Sequence, residues 1–248
     1  MIIAMSIGNT NFVLGTKEDN QISVGRYPAK LIGSKEDFIK IITDSTDIKK
    51  VKGIIISSVN PRLTPYLTEA VKIIFSLSPV IVNSDLKMKL DLSLYDTKLL
   101  GSDRIAVCEA AAGRYKEPAV IFDFGTATTI NVIDSENKFL GGSILPGISM
   151  GLNALYKDTA QLPDIDLSAA SPLMGLNTKD CITSGAVFGN AAMLDGMVQR
   201  IEDSLSEKTA VIVTGGNAGN ILPVCRTKVI FIPELLISGL FELYESNL

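Results

Sequence analysis

The 248 residues contain no histidine. Ser-His-Asp hydrolysis, Cys-His chemistry and His-ligated zinc therefore have nothing to build on in this chain. Cysteine is nearly as scarce. Cys108, Cys181 and Cys225 are far apart and form no CxxC pair, which suits a reducing cytoplasm and mostly buried thiols. No apolar run approaches the roughly 18–20 residues of a membrane span. The apolar start lacks a basic n-region and a small-residue cleavage site, so it reads as a first strand and not as a signal peptide. A net charge of −4 gives no electrostatic reason to expect a nucleic acid or an anionic membrane as partner. Neither GxxxxGK[ST] nor GxGxxG occurs, which removes the signatures of P-loop and Rossmann nucleotide binding. Catalysis is left to carboxylates, Arg and Lys, hydroxyls, backbone amides and bound ions.

What is present is a globular composition, 46% hydrophobic and 20% charged, with enough length for one large domain or two ordinary ones. Short apolar runs alternate with helical patterns. Strands are expected over 2–7, 11–16 and 21–27, with Glu18, Asp19 and Asn20 as the second turn. Ser34 and Asp37 have capping-box spacing ahead of a helix. A strand over 51–58 is followed by Asn60-Pro61, an N-cap with proline at the first helical position. A short strand over 79–83 and an alanine-rich helix over 99–115 complete the first half. In the second half, strands are expected over 119–124, 128–134, 138–144, 211–214 and 229–232, and helices over 148–156, 178–205 and 234–244.

The chain aligns on itself. At an offset of 117, Met5-Ser6-Ile7-Gly8 falls on Phe122-Asp123-Phe124-Gly125, and without a gap Asn20 falls on Asn137 and Gly25 on Gly142. Two β-meanders of similar spacing give such a match by chance; a duplicated domain gives it by descent. In the duplicated reading Ser6 occupies the place of an acid, Asp123.

Four segments carry candidate chemistry. In Gly8-Asn9-Thr10-Asn11 a glycine lets backbone approach a ligand, and the amides and hydroxyls that follow suit phosphate oxygens; an ordinary hairpin turn uses the same residues. Asp123 to Thr129 forms a second such turn, with a carboxylate placed to ligate a hard cation. Thr214-Gly215-Gly216-Asn217 joins a strand to a helix, where glycines let a flat ring lie against backbone. In Gly101-Ser102-Asp103-Arg104, Ser102 can cap a helix and Asp103 suits its first turn. Capping leaves the adjacent arginine unexplained. An acid–base pair accounts for it, with Asp103 taking a proton from a substrate hydroxyl while Arg104 holds an anion.

In this order the segments resemble the type III pantothenate kinases, of the acetate kinase/hexokinase/actin-like superfamily. Ile7 to Asn11 resembles the first phosphate motif, Tyr95 with Gly101 to Arg104 the pantothenate-binding segment, and Asp123 to Thr128 the second phosphate motif. Gly141 to Ile144, Pro146-Gly147, Asn177-Thr178 and Thr214 to Gly216 follow in family order.

The resemblance implies an α/β fold of two ribonuclease H-like, actin-like domains, 1–116 and 117–248, each a mixed sheet flanked by helices, with a ligand cleft between them. It implies ATP-dependent phosphorylation of the primary hydroxyl of pantothenate, the first step toward coenzyme A. Asp103 would be the general base. Tyr95, Gly101, Ser102, Arg104 and Thr178 would contact pantothenate. Ser6, Ile7, Gly8, Asn9, Thr10, Asn11, Phe12, Val13, Thr126, Gly215 and Gly216 would bind ATP with Mg2+, and Asp123 would hold a monovalent cation, K+ or NH4+. A cytoplasmic homodimer is implied, with no nucleic-acid or membrane partner.

One position departs from the family pattern: the first motif there begins with aspartate, and this chain has Ser6. A serine hydroxyl can ligate magnesium or orient its water but brings no charge. Losing one preorganised electrostatic group is worth about 3–4 kcal/mol, or roughly 10²–10³ in rate. The sequence thus leaves open an active pantothenate kinase, a non-catalytic homologue that binds the same ligands, and a kinase for another small hydroxyl compound.

Overall fold

The computed structural model describes residues 1–19, 21–167 and 172–248. Two compact units emerge, Met1–Ala112 with Glu234–Leu248, and Gly113–Pro233.

The first unit is built on strands β1 (Ile2–Ile7), β2 (Asn11–Glu18), β3 (Gln21–Pro28), β4 (Gly53–Ser58) and β5 (Val80–Ile81), in sheet order β3-β2-β1-β4-β5. β1 runs antiparallel to β2 and parallel to β4. Alternation decides the faces. Ile3, Met5 and Ile7 of β1 and Ile54 and Ile56 of β4 point into a core with Phe38 and Ile42 of α1 (Lys35–Ser45) and with Leu67 and Val71 of α2 (Thr64–Ile74). Ser6 and Ser57, cross-strand partners, therefore share the opposite face. Against that face pack α3 (Ser102–Ala111) and the C-terminal helix, residues Leu235–Ser246.

The second unit repeats this plan. Its strands are β6 (Ala119–Phe124), β7 (Ala127–Ile133), β8 (Phe139–Pro146), β9 (Ala210–Thr214) and β10 (Ile230–Phe231), in order β10-β9-β6-β7-β8. Read from the meander edge, both sheets have the same order and the same parallel and antiparallel pairings. The internal alignment is thus a duplicated topology. One face buries Val120, Phe122 and Phe124 against α4 (Ile148–Lys157), α5 (Thr178–Leu205) and the short α6 (Ala218–Ile221).

Several local expectations hold. Ser34 and Asp37 form the full capping box, and Asn137 takes a left-handed φ of 66° in the β7–β8 turn. Asn20, expected in the other hairpin turn and aligned with Asn137, lies outside the described residues.

Others are corrected. Pro61 does not open α2, which starts at Thr64; Asn60 instead closes the preceding turn, its side-chain oxygen accepting from Leu63 N–H at 3.2 Å. α3 is shorter than 99–115, because Leu100 and Gly101 are extended before its start and the chain leaves the helix at Ala112, with Gly113 at φ 74°. Of the three thiols only Cys108 is buried; Cys181 is exposed and Cys225 lies between.

The C-terminal helix, α7, belongs to the first unit and not to a half running from 117 to 248. The reason is burial on α3, where every residue from Arg104 to Ala111 is inside. A helix buried on all sides must be covered on all sides, and α7 supplies part of the cover with Leu235, Ile237, Leu240 and Phe241. Gly239 sets the approach, because a Cβ there would collide with the carbonyl of Ala106.

Candidate active site

In the first unit the turn after β1 is closed by Gly8 N–H donating to the Asn11 carbonyl at 2.9 Å, and Asn60 Nδ2 reaches the Gly8 carbonyl at 3.3 Å. Asn9, Thr10 and Asn11 are exposed and Gly8 and Val13 half-buried, so their polar groups can meet a ligand. Ile7 and Phe12 differ. Both side chains are wholly buried, Phe12 edge-on to Phe38 at 5.0 Å between ring centres, which leaves only their backbone for phosphate.

At the end of β4, Ser57 is buried and its hydroxyl lies 2.8 Å from that of Ser102, which also reaches the Ser58 carbonyl at 3.3 Å. Ser102 is therefore not the cap of α3. That position is held by Gly101, and the serine ties the helix start to the sheet. Gly101 has no side chain because Asp103 folds back over it; a Cβ there would meet Asp103 Oδ1. Burial pushes the Asp103 carboxyl above its usual range, while the Arg104 backbone N–H, 2.8 Å from Oδ1, and the Arg104 charge pull the other way. A carboxylate poised in this way suits a general base. Arg104, though charged, is only 8% exposed, and its guanidinium carbon stands 5.9 Å from the Tyr95 ring centre. Serine, acid, arginine and tyrosine are thus one constellation. Ser57 supports it through Ser102, as Asn60 supports the Gly8 turn, and the sequence reading missed Ser57 and took Asn60 only for a helix cap. A small hydroxyl at the end of a parallel strand next to β1 was the available signal.

In the second unit Asp123 is the last residue but one of β6, with Thr129 and Thr214 as its register partners on either side. Gly215, at φ 98°, leaves room for the carboxylate, because a Cβ there would stand 2.6 Å from Asp123 Oδ1 and 2.5 Å from the Phe124 backbone. Asn217 ties the two strand ends, its N–H to the Phe124 carbonyl at 3.1 Å and its Nδ2 to the Gly125 carbonyl at 3.3 Å. Thr126 is exposed, with its backbone seated on Gly147 where no side chain fits.

One carboxylate among hydroxyls and carbonyls is an oxygen donor set that fits a hard monovalent cation. Among the described residues no cluster of three or more acidic, His or Cys side chains exists for a metal. Gly216 is exposed beside this turn, with open space where a Cβ would be. Thr178 opens α5 behind the Asn177 cap and lines a mostly apolar cavity of about 930 Å³ with Gly147, Leu176 and Cys181.

Two sheets of this shared topology, each with a polar turn after its first strand, define a duplicated protein of the actin-like ATPase fold class. Two solved structures share the fold. One, from Sinorhizobium meliloti, is assigned as a 2-dehydro-3-deoxygalactonokinase, with a TM-score of 0.56 and 14% identity, covering 98% of this chain and 95% of its own. The other is a reductive activator for a corrinoid, iron-sulfur protein, with a TM-score of 0.51 and 11% identity, covering 98% of this chain and 60% of its own. In sequence, residues 2–200 match the type III pantothenate kinase family. The type III pantothenate kinase of Moorella thermoacetica is 31% identical over 253 aligned positions, the whole of both chains. The chain belongs to the type III pantothenate kinase family.

Proposed function

We propose that this chain transfers the γ-phosphoryl group of ATP to the primary hydroxyl of pantothenate, with Asp103 as the base. The observation that carries the reading is the Asp103 carboxylate at the head of α3, folded over Gly101 with its pKa raised by burial. The hydroxyl gives its proton to Asp103 as its oxygen bonds to the γ-phosphorus. The bond to the β,γ-bridging oxygen breaks, ADP leaves, and Asp103 later returns the proton to water. Arg104 and Tyr95 hold the acceptor with Ser102 and Gly101, and Arg104 pairs with the pantothenate carboxylate.

The turn from Ser6 to Val13 and Thr126 take the phosphates, and Gly215 and Gly216 let the adenosine lie against backbone. Phosphoryl transfer of this kind depends on positioning and charge neutralisation. Mg2+ on the phosphates would supply that neutralisation, and Ser6, buried on the sheet face it shares with Ser57, would offer it a hydroxyl. Asp123, Thr129 and Thr214 would hold K+ or NH4+.

The reading further pairs two copies of the chain. Met150, Leu155, Tyr156 and Leu176 leave large apolar surfaces exposed in the second unit, Leu176 at 95%, beside the cavity that Thr178 lines. Three free thiols suit the cytoplasm, where the reading places the enzyme.

The experiment is pantothenate-dependent ADP release by the native chain and by Ser6→Asp, side by side, with saturating ATP, Mg2+ and K+. Turnover by the native chain supports the reading, with Ser6→Asp expected to lower the Mg2+ needed for half-maximal rate. Turnover by Ser6→Asp alone makes the native chain a homologue silenced at one residue. Silence from both overturns pantothenate as the acceptor.

A further inference from the structure

α3 carries a second acid that the proposed mechanism does not use. Glu109 is wholly buried, in an otherwise alanine-rich stretch. Its two oxygens accept from two successive backbone N–H groups: Lys89 N–H, shared between Oε1 at 3.1 Å and Oε2 at 3.0 Å, and Leu90 N–H at 3.0 Å to Oε2. The Lys89 side chain strengthens the same attachment, its Nζ donating to the Ala112 carbonyl at 3.2 Å and to Glu242 Oε2 of α7 at 2.6 Å. Leu90 itself is buried.

From this anchor the chain runs back along α3 to Gly101, where the helix starts. Tyr95 lies on that return, its ring 5.9 Å from the Arg104 guanidinium carbon. Leu90 to Gly101 is far longer than it needs to be. Six residues of helix separate Asp103 from Glu109, about 9 Å at 1.5 Å per residue, whereas eleven extended residues reach about 36 Å. The extra length is folded into local turns, with Tyr95 N–H donating to the Leu92 carbonyl at 3.0 Å and Leu100 N–H to the Thr97 carbonyl at 3.2 Å, and where a segment folded in this way sits over α3 depends on how its two ends are held. Gly101 holds one end by covalent continuity with α3, and the Glu109 carboxylate holds the other.

We propose that Glu109 is a positioning residue for the acceptor site: by pinning Lys89 and Leu90 to α3 it sets the Tyr95 ring over Arg104, and so sets affinity for the acceptor. The proposal rests on the assignment of Tyr95 and Arg104 to pantothenate. A buried carboxylate holding two backbone N–H groups by charge-assisted bonds is a strong anchor. An amide of the same shape keeps the volume but presents an NH2 group to donors.

The test is Glu109→Gln in the full-length protein, with kinetics for both substrates and amide hydrogen exchange of the unliganded chain. The expected result is a pantothenate KM raised about tenfold, with kcat and the ATP KM changed less than twofold, and faster exchange over residues 89–95. Tyr95→Ala should then cost much less in the Glu109→Gln background than in the native one. A merely structural role would lower the melting temperature and leave the KM ratio and the Tyr95 cycle unmoved, which overturns the proposal. Should Glu109→Gln not fold, Glu109→Asp, which keeps the charge and shortens its reach by one methylene, decides on the same readouts: a rise in the pantothenate KM supports the proposal and an unchanged KM overturns it. Failure of the proposed function is separate, because the native chain would then show no pantothenate-dependent turnover, while the exchange result would still report on the anchor.

Discussion

The Ser57 hydroxyl lies 2.8 Å from the Ser102 hydroxyl, and that bond, with the one from Ser102 to the Ser58 carbonyl, joins the end of β4 to the first turn of α3. Ser57 is also the cross-strand partner of Ser6 on the same face of the sheet. The residue proposed to stand at the phosphates and the residue next to the proposed base are therefore linked through a single buried serine. Ser57→Ala removes one hydrogen bond, worth about 1 kcal/mol, while Ser102 keeps the Ser58 carbonyl. The expected outcome is a small fall in melting temperature and a roughly tenfold loss of kcat/KM for pantothenate, short of the ~10² of a 1 Å misplacement. Steady-state kinetics checks it, and an unchanged kcat/KM would show that Ser102 is held without Ser57.

Asp103→Asn is expected to lower kcat by about 10²–10⁴ while the fold persists. Burial raises the folded pKa of Asp103. The base works only when ionised, so activity disappears as pH falls through that raised value. The acid limb of kcat/KM should therefore lie above the ordinary carboxylate range. Linkage has the matching sign: a carboxyl with a raised folded pKa costs stability above that pKa and nothing below its unfolded value. Asn should accordingly raise the melting temperature at neutral pH more than at acidic pH. Equal shifts at both would contradict burial of the charge.

Gly215 and its neighbour separate structure from binding. Gly215→Ala places a Cβ 2.5 Å from the Phe124 backbone at φ 98°, a combination worth at least about 3 kcal/mol. A marked loss of stability in denaturant is expected. Gly216→Ala meets nothing within 4 Å, so its stability should stay within about 0.5 kcal/mol. Its effect should fall on the KM for ATP, and no change there would take the adenosine away from this turn.

Thiol chemistry should divide the cysteines. Burial pushes Cys108 up to about 12 and Cys225 to about 11, the nearby Asp195 charge adding to the rise at Cys225, whereas Cys181 is exposed near the start of α5. At pH 8 a thiol of pKa 12 is ionised about once in ten thousand molecules. Ellman's reagent should therefore react quickly with one thiol in the native protein and with three after unfolding. A second fast native thiol would mean that half-buried Cys225 is reachable as it stands or that the Cys108 site opens.

The strands, their order along the chain and the duplication were legible because each depends on local pattern. Alternation over 2–7 and over 119–124, the Ser34–Asp37 cap and the glycine turns need no distant partner to be recognised. Asp103 and Arg104 stood out as candidates for the related reason that capping explains an acid at a helix start and not a cation beside it.

Long-range burial decided the rest. α7 looks like the end of the second half, and only the need of α3 for cover on its second side places it in the first unit. Glu109 reads as one charge in an alanine helix, and its meaning lies in amide groups of residues twenty positions away. Ser102 reads as a cap until Ser57 claims its hydroxyl. The sequence by itself determined the elements, their repeat and the identities of the polar turns, since those follow from neighbours along the chain. The tertiary structure decided which buried polar group satisfies which other, because a buried donor or acceptor must find its partner wherever the fold brings one.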